Sequence, residues 1–202
     1  MKLYNLGAGM NPRRVRIFLA EKGVEVPMVE VDMMKGENRT PEFLAINPMG
    51  TLPVLELDDG TILTESVAIC RYFEELHPEP NLFGNTALER AQVEMWNRRM
   101  EFELMVPMAL CFRHTHEMWA GRNPQVPEFG ELCRNNATDR MRWLDKELAD
   151  RDFIAGDRYT IADITGQCGF LLGKNTGTPI PEECANLNRW FKSVTSRPTA
   201  RA

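Results

Sequence analysis

Histidine is scarce in this chain, with three residues, and the two nearest neighbours, His114 and His116, stand two apart and so fall on different faces of any helix. The five cysteines (Cys70, Cys111, Cys133, Cys168 and Cys184) form no CxxC pair and no metal-ligand spacing. These absences argue against a zinc site and a disulfide framework, and leave reduced, mostly buried thiols as the expected state. No stretch approaches the roughly 18 apolar residues of a membrane span. The N-terminal MKLYNLGAGMNPRR lacks the apolar run of a secretory signal, so a cytosolic protein is expected. Lysine and arginine do not cluster and the net charge is −5, which removes the electrostatic footprint of a nucleic-acid or anionic-membrane partner. Fixed-period repeats and low-complexity tracts are also missing.

What is present is an ordinary globular composition, 43% hydrophobic and 26% charged over 202 residues, enough for one large core or two smaller ones. The first 80 residues alternate between strand-like and helix-like pieces. Lys2 to Leu6 reads as a strand, Asn11-Pro12 as a helix start followed by apolar Val15, Phe18 and Leu19, Gly23 as its stop, and Val26 to Val31 as a second, parallel strand. Thr40 to Ala45 predicts a short helix. Val54 to Leu57, the Asp58-Asp59-Gly60 turn and Thr61 to Leu63 predict a hairpin, which makes the sheet mixed. A helix is expected from Ser66, with Ile69, Tyr72, Phe73 and Leu76 on one face, broken by His77-Pro78-Glu79-Pro80. Beyond this break the pattern is helical: one long helix over 86–119 kinked at Pro107, another over 127–149, and shorter ones after Thr160 and Asn186. The fold class is therefore α/β plus all-α, with an α/β domain over 1–77, a linker over 78–85 and an all-helical domain over 86–202.

Several motifs resemble the cytosolic glutathione transferase family along essentially the whole chain. The densest match runs Asn47-Pro48-Met49-Gly50-Thr51-Leu52-Pro53-Val54-Leu55, then Asp59-Gly60 and Thr64-Glu65-Ser66-Val67-Ala68-Ile69. A second lies at Thr160-Ile161-Ala162-Asp163-Ile164, read as a capping box with Tyr159 and Ile164 as a hydrophobic staple. The resemblance implies a thioredoxin-like first domain, a helical second domain and, usually, a homodimer. It also implies that Pro53 is cis and that Leu52 offers its backbone N–H and C=O to the cysteinyl part of glutathione. Glu65 would face the γ-glutamyl ammonium and Ser66 the carboxylate, at the N-terminus of a helix that favours negative charge. Asn38 and Thr51 align with residues that hold the glycyl carboxylate in some members, with Lys35 and Arg39 as charge partners. Asp163 would be structural.

The sequence departs from the family where the thiol is activated. Members place a tyrosine near the end of the first strand, or a serine or cysteine at the start of the first helix; these positions hold Asn5 and Gly9 here. Tyr4 is one residue off and by alternation belongs to the core. The remaining donors are the amides of Asn11 and, second, Asn5, with backbone N–H groups around residues 9–11. Asn11 also reads as a plain N-cap. Without a cysteine at Gly9, disulfide-reducing and deglutathionylating chemistry falls away, and the Ser-Ser-Cys run of maleylacetoacetate isomerase is absent too. An electrophile is expected against the long helix, lined by Met105, Met108, Phe112 and Trp119 with Met10; His114 is a further polar candidate, and each apolar side chain taken singly reads more readily as core. Two functions follow: conjugation of glutathione to small apolar electrophiles, with no metal, or a binding protein that keeps the fold without efficient chemistry.

Overall fold

The computed structural model describes the backbone of residues 1–202 and every side chain except that of Asn175. The chain divides into two compact units, residues 1–81 with 201–202 and residues 82–200.

In the first unit, β1 (Lys2–Asn5), α1 (Met10–Lys22) and β2 (Met28–Glu30) form a crossover whose strands run parallel, Leu3 opposite Met28. There follow α2 (Pro41–Ile46), β3 (Val54–Glu56), β4 (Ile62–Leu63) and α3 (Ser66–Leu76). The strand order is β2-β1-β3-β4, with β3 antiparallel to both neighbours, so the sheet is mixed and the arrangement thioredoxin-like. Alternation sets its two faces. Tyr4 and Val54 join Val31, Phe43 and Leu52 on one side, while Leu3 and Leu55 are fully buried on the other. Helix α1 buries Val15, Phe18 and Leu19, and α3 buries Ile69 and Phe73. Leu76, expected on that face, is 49% exposed, because α3 ends there and His77 already leaves helical geometry. The segment after α3 is held by Lys22, whose buried Nζ pairs with Glu74 at 2.6 Å and donates to the carbonyls of His77 (2.8 Å) and Pro80 (2.7 Å).

The second unit contains α4 (Ala87–Arg99), a π-helical turn (Met100–Met105), α5 (Val106–Thr115), α6 (Pro127–Glu147), α7 (Ile161–Asn175) and α8 (Ala185–Thr195). Helices α4 and α7 both begin with capping boxes, Thr86 with Glu89 and Thr160 with Asp163. The single long helix expected over 86–119 is corrected. It is interrupted by the π-turn just before Pro107, α5 ends at Thr115, and Trp119 sits in a separate short turn. Proline has no N–H for the preceding turn and crowds the carbonyl four residues back, and the wider π-turn absorbs both effects. The same turn places Met100 and Met105, five apart, against one helix: a Cβ built on Gly166 would lie 3.5 Å from the Met100 sulfur, and one on Gly169 would lie 3.2 Å from Met105 Cβ. Among the described residues, no helix is long and apolar enough to cross a membrane. All five cysteines are buried and none is in a disulfide.

Candidate functional site

The residues singled out around Leu52 lie on a turn that the first unit braces from beneath. The Leu52–Pro53 peptide is cis, and the Leu52 side chain is anchored in the cluster with Tyr4, Val31, Phe43 and Val54. Asn47 donates from Nδ2 to the Thr51 carbonyl at 2.9 Å and to its hydroxyl at 3.2 Å, while Asn38 donates to the Gly50 carbonyl at 2.7 Å. Asn38 is 3% exposed. Its amide is turned inward and holds the turn. Thr51 is exposed, Lys35 pairs with Asp32 at 3.3 Å, and Arg39 donates to the Met49 carbonyl at 3.4 Å.

At the start of α3, Glu65 is the one non-glycine residue with positive φ among the described residues, at φ 65° and ψ 112°. Such a conformation costs an L-residue on the order of 1–3 kcal/mol. No side chain caps α3, and its first turn holds no acidic residue. The helix end thus keeps its partial positive charge and its first-turn N–H groups for an anion. Ser66 is buried at this end, and its Oγ accepts a 2.6 Å hydrogen bond from Nη1 of Arg14. The same nitrogen donates to Asn11 Oδ1 at 3.3 Å. Arg14 is 1% exposed and escaped the sequence reading, since an arginine in an amphipathic helix is ordinarily assigned to solvent. The available signal was its place four residues before Phe18, on the buried stripe of α1.

The loop from β1 to α1 is organised by a different network. Asn5 is 2% exposed; its amide donates to the Glu30 carboxylate and its oxygen accepts from Arg16 Nη1 at 2.6 Å. Glu30 also accepts from the Gly7 N–H at 3.1 Å, and Arg16 donates to the Gly7 carbonyl at 2.8 Å. Asn5 therefore clamps the loop. Gly9, not Asn11, is the N-cap of α1, and no side chain caps that helix. Asn11 lies inside the first turn and is exposed. A Cβ on Gly9 would come within 3.0 Å of two ring carbons of Pro12. A serine or cysteine at that position would press on a stiff ring, which gives Gly9 a steric rationale beside Pro12. Tyr4 is core, as its alternation predicts: it donates to Glu56 at 2.8 Å, and burial raises its phenol above the ordinary value.

In the helical unit, Met105 and Met108 are buried against α7. Phe112 and Trp119 are half-buried and meet edge to face at 6.0 Å, with the Arg113 guanidinium 5.7 Å over the indole. His114 and His116 each accept a backbone N–H through Nδ1, from Val126 and Met118 respectively, at 3.1 Å. Met10 is half-buried in the first turn of α1. Asp163 is wholly enclosed and accepts from the Ile154 N–H (2.8 Å), Trp190 Nε1 (2.8 Å) and both the N–H (2.9 Å) and hydroxyl (3.1 Å) of Thr160. Burial outweighs these bonds and pushes its pKa up to about 6.

Comparison with known proteins places these features in a family context. The model of the glutathione S-transferase N-terminal domain matches residues 10–76, and that of the C-terminal domain matches residues 133–198. Glutathione S-transferase 2 of Saccharomyces cerevisiae is 40% identical, covering 100% of this chain and 88% of its own length. The crystal structure of that organism's Gtt2 superposes with a TM-score of 0.94, covering 100% of this chain and 99% of that one. A Gtt2-class glutathione S-transferase of Vibrio parahaemolyticus, 36% identical, gives a TM-score of 0.88 and covers 100% of this chain and 96% of that one. Elongation factor 1-gamma 3 of rice is 29% identical over 87% of this chain and 42% of its own length.

Proposed function

The chain belongs to the glutathione S-transferase family, and from that premise we propose that it conjugates the thiolate of glutathione to small apolar electrophiles. The observation that carries the reading is the uncapped N-terminus of α3, with Glu65 held at positive φ beside Ser66. A carboxylate suits that helix end, and Glu65 supplies the opposite charge for an ammonium on the same ligand, which together fit an amino-acid terminus. We assign the γ-glutamyl end to Glu65 and Ser66, the cysteinyl backbone to Leu52 ahead of cis Pro53, and the glycyl end to exposed Thr51.

The thiol must be ionised to react. A cysteine-like thiol with a pKa near 8.5 is only a few per cent thiolate at pH 7, and lowering that by about two units takes roughly 2.7 kcal/mol of preferential stabilisation. We assign this to the amide of Asn11 and the N–H groups of Met10 and Asn11 at the uncapped start of α1. These groups hydrogen-bond sulfur and accept no proton, so the thiol proton passes to solvent. The thiolate then attacks the electrophilic carbon, forming a C–S bond as the leaving group departs with its electron pair. Met10, in the first turn of α1 beside Asn11, is the side chain we assign to the apolar substrate. Five buried cysteines, none in a disulfide, suit a reducing cytoplasm. An exposed stripe of Leu88, Met95 and Phe102, seven residues apart, suits a homodimer contact.

Calorimetric titration with glutathione, joined to ultraviolet titration of the bound thiol, tests the reading. Binding with a thiol pKa well below that of free glutathione is expected; absence of binding overturns it. The similarity to elongation factor 1-gamma, with Asn5 and Gly9 at the usual catalytic positions, favours a second reading, a binding protein with little conjugating activity. Glutathione binding with an unshifted thiol would select it.

A further inference from the structure

We infer that Arg14 is a shared positioning residue, orienting with the two protons of one guanidinium nitrogen two of the side chains that the site offers to glutathione, Ser66 and Asn11. The inference rests on the reading above and concerns a residue to which that reading assigns no contact with the ligand.

A buried guanidinium is costly to desolvate unless its hydrogen bonds are specific, so the placement of Arg14 at 1% exposure calls for a role. Arginine has donors and no acceptor. When Nη1 reaches Ser66 Oγ at 2.6 Å, it uses a lone pair of the hydroxyl, and the Ser66 proton must point elsewhere. Ser66 then acts as a donor at the open end of α3, the orientation a carboxylate requires.

The same logic fixes Asn11. Its Oδ1, at 3.3 Å from that nitrogen, is the one end of the amide that can face a guanidinium, so the NH2 group is turned away from Arg14 at the start of α1. A freely rotating asparagine would present its oxygen as readily as its nitrogen, and an oxygen would repel a thiolate. The positive charge of Arg14 also lies beside two helix N-termini, each with a partial positive charge of its own. The carboxylate and the thiolate of one ligand are thereby served from a single buried cation, with the hydrogen bonds setting direction and the charge setting sign.

The test compares full-length wild type with Arg14→Met, Arg14→Lys and Asn11→Asp, with folding checked by circular dichroism. Glutathione affinity and the pKa of the bound thiol are read for each. Arg14→Met is expected to weaken binding roughly tenfold or more, the scale of a charge-assisted hydrogen bond, and to return the thiol pKa toward that of free glutathione. Arg14→Lys, which keeps the charge without the fork, is expected to recover affinity in part and to leave the thiol pKa raised. A merely structural Arg14 would lower stability and leave the thiol pKa of the folded fraction unmoved. A folded Arg14→Met or Arg14→Lys protein with wild-type affinity and thiol pKa overturns the inference and leaves the glutathione reading standing. If neither Arg14 variant folds, Asn11→Asp decides. It keeps the acceptor facing Arg14 and turns an oxygen outward, so a raised thiol pKa supports the inference and an unchanged one overturns it. Failure of the wild type to bind glutathione overturns both.

Discussion

Glu65 is where local preference and position conflict most directly. Its φ of 65° with ψ 112° suits glycine, yet the residue carries a carboxylate at the mouth of α3. Glu65→Gly should therefore relieve on the order of 1–3 kcal/mol of strain, offset by up to about 1 kcal/mol of added unfolded-state entropy, for a net gain of about 1 kcal/mol in urea denaturation. Calorimetry on the same variant should show weaker glutathione binding, by roughly tenfold, because the partner of the ammonium is gone. A variant that is less stable, or that binds as wild type does, would remove the functional reason for the strain. At this scale the sequence disclosed the Thr160 cap with Asp163, which carries its geometry in residue type and spacing, while the cis bond before Pro53 came from the resemblance and the positive φ of Glu65 had no signal in its residue type. For Asn5 and Asn38 the sequence left the partner open. An amide that meets a ligand and an amide that braces a loop look alike until the partner is known, and Glu30, Arg16 and Gly50 are supplied from elsewhere in the chain.

Among the elements, the π-turn between α4 and α5 has the largest consequence. Helical periodicity is regular enough to predict helix over 86–119, and proline marks a break, but the extra residue per turn has no local signature. Its reason lies on α7, where Gly166, Gly169 and Gly173 leave room for Met100, Met105 and Met108. Gly173 is the tightest of these: an added Cβ would stand 2.6 Å from the Thr178 carbonyl oxygen and 2.7 Å from the Met108 sulfur. The sulfur can yield and the backbone oxygen cannot. Gly173→Ala is accordingly expected to destabilise the protein by about 1–3 kcal/mol, read from the shift in the denaturation midpoint at unchanged m-value. A neutral substitution would mean that the α7 glycines are not holding that approach.

For the molecule as a whole, stability should carry a pH dependence set by the enclosed Asp163. Its pKa of about 6 in the fold stands above the ordinary 3.8, so the folded state holds the proton more tightly than the unfolded chain does. Its contribution is then most favourable near or below pH 4, falls as pH rises toward 6, and levels off beyond. Asp163→Asn cannot ionise, so the stability of wild type relative to this variant should decline between pH 4 and 6.5. Urea denaturation across that range checks the sign, and a gap that widens instead would show that the four hydrogen bonds outweigh burial. The sequence by itself determined the α/β and all-helical halves and the mixed sheet, which follow from periodicity and turn chemistry along one chain, and its motifs carried the resemblance that implied the family and the cis proline. Tertiary structure alone decided which polar groups became interior. Arg14 reaches Ser66 and Asn11, Asn5 is drawn to Glu30 and Arg16, and the methionines turn toward α7. Each of these choices depends on which partner comes close enough to compensate desolvation, and that is a property of packing in space, not of order along the chain.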